Sequence, residues 1–94
     1  MDRVALIRER LTSALSPETL DITDDSHLHA GHPGAAAGGG HYSVKIVAHQ
    51  FTDLSLIERH RLVYKAVADL MPAQIHALSI EAISPHECQL QAKA

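Results

Sequence analysis

The sequence is short of several things that usually announce a function. It has one cysteine, Cys88. One thiol cannot close an internal disulfide, so nothing implies an oxidising compartment. Tryptophan is absent, and Tyr42, Phe51 and Tyr64 are the whole aromatic set. A core must therefore come from Leu, Ile, Val and Ala, and no aromatic platform is offered for stacking bases. No run of about eighteen apolar residues occurs, so no membrane span is expected. The opening MDRVALIRERL lacks the basic-then-apolar layout of a secretion leader. Its two acidic residues speak against a transit peptide, so the expected location is the cytoplasm. Basic charge is not in surplus either: 8 Lys and Arg face 11 Asp and Glu, a net charge of -3 with histidines neutral. That weighs against a general nucleic-acid binder. No Walker loop, nucleophile elbow, CxxC or HExxH is present, and we expect no enzyme.

What is abundant is histidine, with 8 in 94 residues. The length fits a single domain over residues 1–94. Residues 3–15 read as a helix, with Val4, Ile7, Leu11 and Leu15 at helical spacing and Ser16-Pro17 as its stop. Residues 19–24 alternate as a short strand. Residues 24–41, DDSHLHAGHPGAAAGGGH, are rich in Gly, Ala and His and read as an exposed, mobile loop. Residues 42–49 form the clearest strand, with Tyr42, Val44, Ile46 and Ala48 on one face. Residues 56–71 form the clearest helix. Ser55 and Glu58 spell a capping box, and Leu56, Val63, Val67 and Leu70 make the expected buried stripe. Residues 75–83 form a third strand, apolar on both faces and so expected to be central or covered. Residues 86–94 read as a short, frayed helical tail. The order predicts an α/β (α+β) domain: an antiparallel strand pair, a helical crossover to a third strand, and two helices packed on one face.

Chemistry, if present, belongs to the histidines. His27, His29 and His32 cluster in HLHAGH. Neutral imidazole is a common metal ligand, although a solvated polar loop reads the same way. His76 opens the third strand in phase with Leu78 and Ile80. It is either a satisfied core-edge residue or a rigid ligand. Two imidazoles leave zinc or a cluster iron short of four ligands, so the rest would come from a second protein. The loop trio alone could instead hold one metal ion. His60 falls on the helix stripe and reads as a packing residue, while His41, His49 and His86 read as surface. Arg59, Arg61 and Lys65 give the second helix a basic face that could touch phosphate or simply face water. Gly31-His32-Pro33-Gly34 matches the GxxG spelling of a KH loop, but between strands instead of helices. Cys88 has only His86 nearby to lower its pKa and reads as inert.

Taken in order, DDSHLHAGH, a glycine-rich stretch, HYSVKIVAHQF, LIERHRLVY and IHALSIEAISP resemble the BolA family across essentially the whole chain. The resemblance implies a class II KH-like α-β-β-α-β fold. It also implies pairing with a monothiol glutaredoxin of the CGFS type. Such a pair would be able to hold a [2Fe–2S] cluster ligated by the glutaredoxin cysteine, glutathione and the BolA-like partner, in iron–sulfur and iron homeostasis. By position, the family's ligand histidine before the third strand falls on His76, and the loop ligand falls on His29, with His27 and His32 as further candidates. Imidazole ligands would make such a cluster less negative and labile below about pH 6. Some family members are described as DNA-binding regulators of cell shape and stress responses. That role would fall on the second helix, with Arg59, Arg61 and Lys65 on phosphates.

Overall fold

A computed structural model of the chain describes residues 2–26 and 40–93. The elements run α1 (Arg3–Leu15), β1 (Thr19–Asp24), β2 (Gly40–Val47), a 3-10 turn (His49–Phe51), α2 (Leu56–Ala66), a second 3-10 turn (Ala68–Leu70), β3 (Ile75–Ile83) and α3 (Pro85–Lys93). This is the expected mixed α+β order.

Local chemistry sets the helix ends. The Asp2 carboxylate accepts from the amides of Val4 and Ala5 and starts α1. Ser16 stops it in the left-handed region, at φ 45°, directly before Pro17. The Ser55–Glu58 capping box forms in full at the head of α2. The far end of α2 differs from expectation. The α-helix closes at Ala66, and the chain tightens into the 3-10 turn ahead of Pro72. There Leu70 N donates to Val67 O and Met71 N to Ala68 O, which satisfies end carbonyls that have no helical partner. The expected tail is a helix with a firm start. Ser84 Oγ accepts from Glu87 N, and the Glu87 carboxylate accepts from Ser84 N.

The three strands lie in the order β1-β2-β3. β1 and β2 are antiparallel, from Thr19↔Val47 to Asp24↔Tyr42, while β2 and β3 are parallel. The central strand is therefore β2. Of the two expected settings for β3, central or covered, the first is corrected, since β3 pairs on one side only. It is nonetheless covered by α2, because Tyr64 Oη donates to Leu78 O and Arg59 Nη1 to Ala82 O. Those bonds occupy two carbonyls of an edge strand that could otherwise recruit another chain.

The core sits between one sheet face and the helices. Ile7, Leu11 and Leu15 of α1 and Val63 of α2 pack with Tyr42, Val44 and Ile46 of β2 and with Leu78 and Ala82 of β3. The predicted inward face of β2 is thus the observed one. The predicted stripe after β2 is buried at Val63, Val67 and Leu70 but not at Leu56. Leu56 is 68% exposed, and the buried positions are Arg59 and Val63, continued by Val67 and Leu70 beyond the helix end. His60, one residue further round, is only half-buried.

Candidate functional site

The register between β2 and β3 breaks once. Gly40 pairs with Ile75, but His41 pairs with Ala77. His76 is the extra residue, so β3 bulges there. Such a bulge re-aims a side chain. Simple alternation would put His76 on the same face as Leu78 and Ile80, toward the core. Instead, Ile75 takes the core position with no exposure and His76 is exposed. The expected core-edge setting for His76 is corrected: the bulge gives the buried place to the apolar residue and turns the imidazole to solvent.

The His76 ring lies beside His41, with centroids 5.1 Å apart and planes at 49°. His41 is half-buried, so its reading as a plain surface residue is also corrected. Its backbone is pinned from both sides. Asp25 N donates to His41 O at 2.8 Å, and His41 N donates to Ser26 Oγ at 3.1 Å. Next to it, Gly40 N donates to Gln74 O at 3.1 Å. Gln74 is itself held, its amide on Leu70 O and its side chain accepting from Arg3. A Cβ on Gly40 would sit 2.6–2.8 Å from the ring end of Tyr42, so any larger residue would have to push that buried ring aside. Asp25 adds one more tie, accepting from the Ser43 hydroxyl. The rim around His76 is thus rigid, while the imidazole itself is open.

Of the other predicted ligands, His27, His29 and His32 lie outside the described residues, as does the GxxG spelling. Gly40 and Ser26, which flank that segment in sequence, stand at the rim beside His41. Among the described residues, no three His, Cys, Asp or Glu side chains gather where one ion could sit. Cys88 is half-buried in α3.

The predicted basic face of α2 loses a member. Arg59 is 8% exposed. Its guanidinium donates to Leu54 O at 3.0 Å, to Ala82 O at 3.1 Å and to the Glu87 carboxylate at 2.6 Å. A side chain so engaged does not reach a phosphate. Arg61 and Lys65 stay exposed. Glu87 is held below the ordinary glutamate value of 4.5. The Ser84 amide contributes most, and the Arg59 guanidinium adds to it. Sequence periodicity carried one signal for Arg59, since positions 59, 63 and 67 share a helix face. For the approach of His41 to His76 it carried none, because the two are far apart in sequence.

A small three-stranded α+β sheet with a parallel crossover and a solvent-facing imidazole on a bulged edge strand defines a narrow class of domain. The chain matches the model of the family described as BolA-like protein over residues 11–87. It belongs to the BolA-like family. It is 42% identical over 81 residues to human BolA-like protein 1, an alignment spanning 86% of this chain and 57% of that protein. It is 40% identical over 86 residues to SufE-like protein 1 of Arabidopsis thaliana, spanning 86% of this chain but 23% of the relative. The chain thus matches about a quarter to somewhat over half the length of these curated relatives. The solved BolA domain of SufE1 from Arabidopsis thaliana superposes with a TM-score of 0.80 at 39% identity, covering 93% of this chain and 96% of that one. Among the described residues, no helix is long and apolar enough to cross a membrane.

Proposed function

We propose that this chain is a non-enzymatic, cytoplasmic BolA-type adaptor that pairs with a monothiol glutaredoxin of the CGFS type. The pair would hold and pass on a [2Fe–2S] cluster as cargo. His76 supplies one ligand from this chain, and a loop histidine, first of all His29, supplies the other. The supporting observation is the bulge at His76. It gives the core position to Ile75 and leaves an exposed imidazole on an otherwise pinned rim. An exposed imidazole nitrogen on a rigid strand suits a cluster iron, which takes protein nitrogen where the rest of the shell is thiolate. A chain that gives only two ligands needs its partner to complete the site, and it gives the cargo up when that partner exchanges. The family membership supports the same reading, as does the presence of a BolA domain in a relative named SufE-like protein 1.

The test mixes the protein with a cluster-loaded CGFS glutaredoxin and glutathione and follows visible absorption and circular dichroism. A new mixed-cluster spectrum and a complex on gel filtration are expected. An unchanged spectrum with no complex refutes the reading. A spectrum that survives His76→Ala refutes the ligand assignment alone.

A further inference from the structure

Exposed residues normally sample several rotamers, and loss of that freedom on binding has to be offset by the contact made. His76 stands at a bulge, where strand pairing does not constrain it as it does its neighbours. The side chain placed to restrain it is His41, whose ring stands 5.1 Å away, centroid to centroid, at a 49° tilt. That separation is within the roughly 4.5–7 Å range in which aromatic pairs attract, and tilted pairs are favoured over face-to-face sandwiches. His41 is fit to act as the fixed member. It belongs to the central strand, it is half-buried, and its backbone N–H and C=O are both bonded to the segment that follows β1. Gly40, directly before it, is tied by its amide to Gln74 O.

The His41 Nε2 atom is shut off from solvent. That nitrogen is therefore closed to an incoming iron, and the contact His41 makes with His76 is the packing of ring on ring. We infer that His41 is a positioning residue: its ring holds the His76 imidazole in one orientation, ready for ligation, before any cluster arrives. This rests on the cluster-carrier reading of His76. Preorganising a ligand in this way lowers the ordering cost of binding and slows release.

The experiment reads the free protein first. Side-chain couplings of His76 are measured by NMR on labelled wild type, His41→Ala and His41→Phe. The expected result is one dominant His76 rotamer in wild type, averaging in His41→Ala, and a return to one rotamer in His41→Phe, which keeps a ring without its nitrogens. With the glutaredoxin pair, the cluster should then be released roughly threefold to tenfold faster from His41→Ala and at near wild-type rate from His41→Phe, in line with the worth of one aromatic pair. Unchanged couplings in His41→Ala overturn the proposal, and so does a His41→Phe variant no better ordered than His41→Ala. If His41→Ala fails to fold, His41→Phe is compared with His41→Gln. Order in Phe and averaging in Gln supports packing, and the reverse refutes it. If wild type takes up no cluster at all, the carrier reading fails while the couplings still decide what His41 does.

Discussion

The two ends of β3 are built to opposite purposes. At the C-terminal end Arg59, Ser84 and Glu87 bind one another and the strand. Arg59 reaches from α2 across to Ala82 O and to Glu87, and Glu87 turns back to cap its own helix on Ser84. Ser84 is 4% exposed and Ile83 7%. At the N-terminal end the strand steps out of register and leaves His76 exposed beside a half-buried His41. One strand thus carries a clamp at one end and a presentation site at the other. The contrast teaches that the open imidazole is an arrangement of this sheet and not a general looseness of it.

If that contrast is right, substitutions at the closed end should cost stability and substitutions at the open end should cost function. The largest effect is expected at Arg59. Arg59→Ala removes its bonds to Leu54 O, Ala82 O and Glu87 and strands Ala82 O. A loss of about 2–4 kcal/mol is expected, a large share of the ~5–15 kcal/mol typical of a domain. Thermal or urea unfolding checks it. A loss below about 0.5 kcal/mol, the ordinary value for a surface change, would show that the clamp is not one.

Acid should open the same end. Glu87 titrates below 4.5 in the folded chain because its ionised form is bonded to the Ser84 amide and to Arg59. A lowered folded value means that its contribution is fully present above the unfolded pKa and fades as pH falls through the folded one. Wild type should therefore exceed Glu87→Gln in melting temperature above about pH 5, with the gap narrowing as pH falls below 4.5. A gap that stays constant to about pH 3, below the ordinary carboxylate range, would place the effect in shape and not in charge. Midway along the strand, Tyr64→Phe removes the hydroxyl bonded to Leu78 O. In thermal unfolding a loss of about 0.5–1 kcal/mol is expected, because Tyr64 is 39% exposed and water can take the bond over.

How far these two ends were legible in sequence follows from the range of the forces involved. Helical and strand periodicity are local, so α1, β1, the capped start of α2 and the inward face of β2 could be read from neighbours a few residues apart. The inward Arg59 was half legible. Its position on the Val63 and Val67 face was visible, but charge argued for water. Only Leu54 O, Ala82 O and Glu87, gathered by tertiary folding, outweigh that preference. The bulge was not legible, because alternation in IHALSIEAI supports either phase at its first residue. What decides it is that Ile75 fills the core more favourably than an imidazole would. His29, His27 and His32 were legible as ligand types, and their geometry lies outside the described residues.

The smallest stability effect is expected at the residue most exposed to function. His76 is exposed and contributes no hydrogen bond to the core among the described residues. His76→Ala should cost only about 0.5 kcal/mol, the low end of the range for the one exposed ring pair it breaks, because Ile75 and Leu78 still fill their places. The same variant should lose the mixed-cluster circular dichroism with glutaredoxin. The two readouts must separate for the contrast to hold. Should His76→Ala unfold as readily as Arg59→Ala, the bulge would be a packing device and the open end no different in kind from the closed one. Retained stability with a lost spectrum would mean that the β3 bulge serves the site and that the fold does not require it.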